Sequence, residues 1–397
     1  MNVTITPQKL NGTITAIASK SQAHRLLICA AFADGITELV CPDTNRDIEA
    51  TAACLSALGA TIERCGDLYR IIPISQIPLQ AHLPCGESGS TLRFLLPIVG
   101  SLGVDTTFEM QGRLPQRPLS PLWELMEEHG CQLSRPTANT LRCTGKLQPA
   151  EYSIRGDVSS QFITGMEFAM ALMKEKGTLL VIGKVESWPY ITMTHLAMGR
   201  YGYPLSRSEN DPLHPFHSPG KIQVEGDWSN AAFFLAANAL GSNVNIVGLD
   251  DNSAQGDRVV AQLLMQLNEN SIIDVADIPD LVPILAVIAG AKKGATFQNI
   301  GRLRLKESDR VCTTCEMLAN LGCRTESTDT TLTVYPCKYH GGIIQSYNDH
   351  RIAMAAAIAS TVADGKVTIL DAACTSKSYP TFWEDLRSLG KEVAEEP

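Results

Sequence analysis

The sequence has no apolar run long enough to cross a bilayer. Its longest, such as Phe233–Leu240 and Ile352–Ala359, fall far short of the ~20 residues a spanning helix needs. The opening residues, MNVTITPQKL, lack a basic segment followed by an apolar one, so a cytoplasmic protein is expected rather than an exported one. Positive charge is scarce: 33 Lys+Arg against 42 Asp+Glu give a net charge of −9 over 397 residues. Such a chain is a poor general binder of nucleic acid, whose phosphates reward cations. A second closely spaced cysteine pair is also missing. The twelve cysteines are scattered from Cys29 to Cys374, and the one CxxC is Cys312–Cys315, so neither a disulfide framework nor a zinc site fits. That pair lies in RVCTTCEMLANLG, where i and i+3 share a helical face, and reads as two small buried apolar residues. None of the eight histidines shows metal-ligand spacing, and neither metal nor cofactor is called for. With 44% hydrophobic and 19% charged residues, the chain has the composition of a globular protein of two or three domains.

Self-similarity organises the rest. A polar head, an apolar helical run, a glycine and a β-rich tail recur six times. The copies begin SKSQAHRLLICAAFADG at Ser19, GSTLRFLLPIVGSLG at Gly89 and SSQFITGMEFAMALMKEKG at Ser159. The other three begin DWSNAAFFLAANALG at Asp227, DIPDLVPILAVIAGAKKG at Asp277 and NDHRIAMAAAIASTVADG at Asn348. The steps between them are close to 70 residues, with one shortened to 50. An amphipathic second helix follows, as in DIEATAACLSALG, PLSPLWELMEEHG and PTFWEDLRSLG, which makes the repeat roughly β-α-β-α-β-β.

Six repeats exceed one compact core and are expected to split three and three. The Pro/His/Ser/Gly-rich stretch Ser208–Lys221 is the natural break. The last repeat ends in KEVAEEP with no returning strand evident, and the alternating segments VTITP and GTITAIA are strands without a local partner. These are expected to complete the C-terminal domain. The expected domains are therefore 18–222 and 1–17 plus 223–397, with a double-crossover hinge near 15–20 and 220–226. Two pseudo-threefold α/β domains of this kind imply a cleft that closes on a ligand.

The polar heads are where chemistry should concentrate, because a helix N-terminus offers unpaired N–H groups and partial positive charge. Ser19-Lys20-Ser21 is followed by Arg25, GESGSTLR places Arg93 one turn beyond Gly89, Ser159-Ser160-Gln161 is a run of hydrogen-bonding side chains, and Asn348-Asp349-His350-Arg351 opens the sixth copy. Asp277-Ile-Pro-Asp280 reads as a cap, a proline near N1 and a first-turn carboxylate. Outside the heads stand Arg113 and Arg117, Lys306 through Arg310, and Lys377. An acidic protein with cations at turns and helix starts suits a small, multiply anionic ligand. Plainer readings exist for several of these. Ser159, Ser160 and Asp227 can serve as caps, Asp280 can compensate the helix dipole, and Trp188 and Pro189 can be packing and loop shape.

In order and spacing, SKSQAHR, ESGSTLR, LPQRPL, GDVSSQF, ESWPY, EGDWS, IPD, LKESDR, NDHRIAM and CTSKSYP resemble the enolpyruvyl-shikimate-phosphate synthase family over essentially the whole chain. The resemblance implies an α/β fold of two pseudo-threefold domains, each of three βαβαββ units, in the inverse α/β barrel arrangement. It implies transfer of the enolpyruvyl group of phosphoenolpyruvate to the 5-hydroxyl of shikimate 3-phosphate, by addition and elimination through a tetrahedral intermediate. Carried over by position, Lys20, Ser21, Arg25, Ser159, Ser160, Gln161, Ser187, Tyr190, Asp280 and Lys306 would hold shikimate 3-phosphate. Lys20, Gly89, Arg117, Gln161, Arg310, Arg351 and Lys377 would hold phosphoenolpyruvate. Asp280 would be the base for the 5-hydroxyl and Glu307 the candidate acid, with Lys20 also catalytic. The partners expected are these two substrates alone, with no nucleic acid, membrane or metal, and the protein is expected to be a monomer.

The residue types suit that chemistry. A carboxylate takes the hydroxyl proton, an acid protonates C3, and fixed cations hold the substrate carboxylate and phosphate. The departures are Ala23 where a serine often stands, Arg302 where some members carry asparagine, and Phe94 in place of a proline. The related enolpyruvyl transferase acting on UDP-N-acetylglucosamine is the alternative, but it typically has a cysteine in the loop corresponding to Gly112–Arg117, which reads GRLPQR here. A non-catalytic hinged anion-binding protein would gain nothing from Asp280 and Glu307 together.

Overall fold

The computed structural model describes residues 1–173, 175, 177–203, 216–267 and 271–396. Within them the chain forms two compact units, Ala18–Glu225 and Met1–Ile17 with Gly226–Pro397. The change of unit falls after Glu225. Residues 208–215 of the stretch in which the break was expected lie outside the described residues.

The Ala18–Glu225 unit carries six helices: α1 (Lys20–Ala31), α2 (Arg46–Ala57), α3 (Gly89–Leu102), α4 (Leu122–Glu128), α5 (Ser160–Leu172) and α6 (Trp188–Arg200). The first helix of each repeat is buried on nearly every face, polar residues included, as α1, α3 and α5 are. The second helices keep a wet side and flank them, as α2 and α4 show. The α3–α5 contact is a close backbone approach. A Cβ on Gly165 would stand 2.3 Å from the Arg93 carbonyl oxygen, so only glycine fits there.

The strands pair in a repeated order. Gln80–Gly86, Asp105–Met110, Thr140–Gly145 and Cys131–Ser134 form one four-stranded sheet, in that spatial order. A second has Lys221–Gln223, Thr37–Val40, Leu68–Ile72 and Thr61–Cys65. In both, the first pair is parallel and the rest antiparallel. The strand opening the α1 repeat thus comes from the end of the unit rather than its start.

The other unit has α7 (Trp228–Ala239), α8 (Val260–Gln266), α9 (Val282–Ala291), α10 (Arg310–Asn320), α11 (His350–Ala359) and α12 (Phe382–Ser388). Here α7, α9 and α11 pack on one another, and every residue of α11 is buried. The sheet order recurs in Ser271–Asp274, Ala295–Gln298, Thr331–Val334 and Thr325–Ser327. It recurs again in Gly342–Gln345, Val367–Leu370, Asn2–Ile5 and Val393–Glu396. Asn2–Ile5 lies between Val367–Leu370 and Val393–Glu396, and Asn11–Thr15 pairs with Asn243–Val247. Each unit has its own apolar core. No helix among the described residues is long and apolar enough to cross a membrane.

Several expectations need correction. The last repeat does return a strand, Val393–Glu396, paired with Asn2–Ile5. It hid because an edge strand that is mostly solvent-exposed carries no apolar alternation. Among the described residues the four-stranded sheet is seen in four of the six repeats, and the third and fourth show a parallel strand pair each. Cys312 is exposed and Cys315 only partly buried, because α10 turns Val311, Thr314, Met317 and Leu318 to the core. Trp188 is 52% exposed, so core packing does not explain it. The N-cap position of the 3-10 turn Pro279–Leu281 is Ile278, one residue after Asp277, where the cap was expected.

Candidate active site

In the Ala18–Glu225 unit, the heads of α1, α3 and α5 are wired together by short polar contacts. Ser19, Ser88 and Ser159 are their N-caps, each accepting a backbone N–H one turn in or less. Lys20, at the first position of α1, pairs with Asp47 of α2 at 2.9 Å. The His24 ring meets the Thr51 hydroxyl at 2.7 Å, and Thr51 meets Thr91 at 2.6 Å. These contacts fix α1, α2 and α3 to one another.

Arg25 is 2% exposed. Its guanidinium donates to the Thr194 hydroxyl (2.8 Å) and to the carbonyls of Ser21 (2.6 Å) and Tyr190 (2.9 Å). It thereby ties α1 to α6, so the cation the sequence offered as a ligand contact also serves as a brace. Ser187, at the start of α6, is buried and left-handed, with φ 58°, an uncommon conformation for a non-glycine residue.

Around the head of α3, Gln161 is held from both ends. Arg93 donates to its side-chain oxygen at 2.7 Å, and its amide nitrogen donates to Ser90 at 2.9 Å. Arg117, after the 3-10 turn Leu114–Gln116, lies across the same head. A Cβ on Gly89 would be 2.6 Å from one of its terminal nitrogens. Gly89, Ser90, Arg93, Arg117 and Gln161 thus gather at one helix N-terminus, an end whose N–H groups and partial positive charge suit anions, while Arg113 is exposed.

His24 gives a measurable consequence. Burial first, then the Lys20 and Arg25 charges, hold the His24 imidazole well below its ordinary range. The unfolded chain, whose histidine titrates near 6.5, therefore binds more protons than the folded one below that pH. The His24 contribution to stability is complete above about pH 6.5 and is lost as pH falls toward the folded value. Urea midpoints measured from pH 8 to 5 are expected to fall less steeply for His24→Gln than for the natural chain. Parallel slopes would contradict this.

In the other unit the polar centre is Arg310, the first residue of α10. Its guanidinium is 1% exposed and engages three carboxylates: Asp280 at 2.7 Å, Glu307 at 2.6 Å and Asp349 at 3.0 Å. Asp349 also caps α11 and accepts from Ser308 at 2.9 Å. Asp280 lies 3.2 Å from the Lys306 ammonium and 3.7 Å from Arg351. Arg351 donates to the Ser229 hydroxyl at 2.6 Å, and Lys377 to the Asn348 carbonyl at 2.8 Å. The structure brings Asp280, Lys306, Glu307, Arg310 and Arg351 together.

The electrostatics follow from that crowding. Burial alone would raise the Asp280 carboxyl, but Lys306, Arg351 and Arg310 hold it well below the usual carboxylate range. Burial lowers Lys306 despite Asp280. Against its own burial, Arg310 is held protonated by Asp349, Glu307 and Asp280. Asp257, buried on the 3-10 turn Gly256–Val259, is pushed up to about 6, by burial first and then by Asp280. Asp47, Asp349 and Asp257 were not singled out from sequence. Asp349 stood inside the quoted NDHR head, whereas Asp47 and Asp257 sit in segments whose sequence gives no such sign.

The sequence pattern of the EPSP synthase (3-phosphoshikimate 1-carboxyvinyltransferase) family matches residues 5–386. The 3-phosphoshikimate 1-carboxyvinyltransferase of Clostridium kluyveri is 36% identical over 418 residues, covering 99% of this chain and 98% of that one. The Clostridium perfringens protein of the same name is 37% identical, with 98% of each covered. The solved EPSP synthase of Acinetobacter baumannii superposes with a TM-score of 0.79 at 22% identity, over 99% of this chain and all of the other.

Proposed function

The chain belongs to the EPSP synthase family and is a transferase of the enolpyruvyl group from phosphoenolpyruvate to shikimate 3-phosphate, and from that premise we propose how its residues divide the work. Lys20, Ser21, Ser159, Ser160, Gln161, Ser187 and Tyr190 receive shikimate 3-phosphate, with Arg25 holding α1 and α6 in place around it. Gly89, Arg117 and Gln161, with Lys20, take phosphoenolpyruvate together with Arg310, Arg351 and Lys377. Asp280 accepts the proton of the 5-hydroxyl as that oxygen adds to C2. Glu307 delivers a proton to C3, and phosphate then leaves the tetrahedral adduct.

The observation that carries this reading is the carboxylate Asp280 held by Lys306, Arg310 and Arg351. At rest those cations make Asp280 a weak base. An anionic substrate that takes up their charge releases Asp280 to bind a proton, so base strength appears only when the substrate is present. Glu307 shares Arg310 with Asp280, which couples the acid to the base through one guanidinium. Phosphate release from phosphoenolpyruvate is expected with shikimate 3-phosphate as acceptor and not with UDP-N-acetylglucosamine. Release with the sugar nucleotide instead would reverse the assignment.

Gly89 supplies a sharper test of the phosphoenolpyruvate side. The methyl of Gly89→Ala must push the Arg117 guanidinium from the head of α3. The KM for phosphoenolpyruvate is expected to rise by about 10–100-fold, equivalent to about 1–3 kcal/mol, with that for shikimate 3-phosphate little changed. Equal effects on both would place Arg117 elsewhere.

A further inference from the structure

The proposed chemistry uses no cysteine, yet six of the twelve cysteines stand in three close thiol pairs. Cys54 and Cys85 are 4.0 Å apart, Cys131 stands beside Cys143, and Cys323, whose thiol donates to the Tyr335 carbonyl at 3.2 Å, stands beside Cys337. The first two pairs are buried on both sides. In the third, Cys323 is buried but Cys337 is only partly so. Cys337 lines an open pocket of about 450 Å³ with Lys292, Lys338, Tyr339 and Asp364.

The fold builds this pair. Thr325–Ser327 and Thr331–Val334 are antiparallel, with Thr325 opposite Val334. Cys323 precedes one strand and Cys337 follows the other, so the open end of the hairpin brings the thiols together. The Tyr335 N–H donates to the Arg324 carbonyl at 3.0 Å and closes that end. The Cys337 N–H donates to the Gly290 carbonyl at 2.8 Å, at the C-terminal turn of α9. A Cβ on Gly290 would stand 2.9 Å from the Cys323 sulfur. The Tyr339 hydroxyl is nearer still, at 2.3 Å, so glycine at 290 is what lets α9 pack this closely on the buried Cys323 side, while Cys337 faces the pocket.

We propose that Cys337 is a thiol–disulfide exchange site, with Cys323 as its resolving thiol, that takes a small anionic disulfide of the glutathione type from the pocket. The Cys337 thiolate attacks one sulfur of the small disulfide, forming a mixed disulfide and releasing one small thiolate. Cys323 then gives up its proton and attacks the Cys337 sulfur, forming the internal disulfide and releasing the second small thiol. Two protein thiols are oxidised and one small disulfide is reduced to two thiols. Cys323 first, then Tyr339, hold the Cys337 thiol below the ordinary range against its partial burial, and Lys292 and Lys338 in the pocket suit an anionic reactant. The exposed CxxC is the rival and is less suited. Burial first, then Asp309 and Glu316, raise Cys312. This site lies outside the transferase chemistry, and its test does not depend on that reading.

The reduced, full-length protein is incubated with graded glutathione disulfide, alkylated and mapped by peptide mass spectrometry. The first internal disulfide is expected to link Cys323 to Cys337. Cys323→Ser is expected to trap a glutathionyl group on Cys337, and Cys337→Ser to leave Cys323 reduced. Where the Cys323→Ser chain does not fold, the order of oxidation in the natural chain decides. Oxidation of Cys312, Cys315 or Cys65 while Cys323 and Cys337 remain alkylated would overturn the proposal, as would no reaction of the pair at any concentration.

Discussion

Replacing Arg310 with methionine is expected to lower the unfolding free energy by about 3–5 kcal/mol, the cost of leaving buried charge without its partner. The side chain is 1% exposed and meets Asp280, Glu307 and Asp349. Methionine replaces its volume but none of its bonds. Asp349 is itself fully buried and caps α11, so its stranded charge loosens the head that presents Arg351. Lysine at 310 keeps a charge without the planar fork and reaches fewer of the three carboxylates, so Arg310→Lys should fall between. Denaturant midpoints at constant slope decide the matter. A loss below 1 kcal/mol for methionine would mean that solvent, rather than Arg310, neutralises these carboxylates.

Asp280→Asn is expected to lower kcat by about 10²–10⁴-fold, the range for loss of a positioned general base. The direction of KM is equally informative. Asp280 occupies Lys306, Arg310 and Arg351, the cations that the proposed assignment would have phosphoenolpyruvate share. Asparagine removes that charge, so the KM for phosphoenolpyruvate should stay level or fall while turnover collapses. Near-natural turnover would remove Asp280 as the base. A large rise in KM would make it a binding residue instead.

The helical part of the fold was legible because its signals are local. A cap, an apolar run and a glycine occupy under 25 residues, and α1, α3, α5, α7 and α11 begin within a residue or two of the heads read from sequence. Pairing was less legible, since no local pattern says that Asn2–Ile5 sits between Val367–Leu370 and Val393–Glu396. The polar strand Val393–Glu396 left no trace at all. In the site, the cations were found because acidic chains seldom place arginines at helix starts without cause. Of their carboxylate partners, Asp280 and Glu307 were named, but the pairings across the chain were not: Asp47 lies 27 residues from Lys20, and Asp349 lies 39 from Arg310. The cysteines show the same limit. The CxxC drew the eye by its spacing, whereas a hairpin made a pair of Cys323 and Cys337.

The account stands on addition and elimination at C2, with Asp280 and Glu307 moving protons, and a single turnover in deuterium oxide tests it most directly. Addition makes C3 a methyl group by taking one proton from the enzyme, and elimination removes one of three hydrogens from that methyl. Deuterium is therefore expected at the vinyl carbon of the product formed by the natural chain, and mass spectrometry of the quenched reaction shows it. Product formed at full rate with no deuterium at that carbon would mean that C3 is never protonated, and would contradict the mechanism.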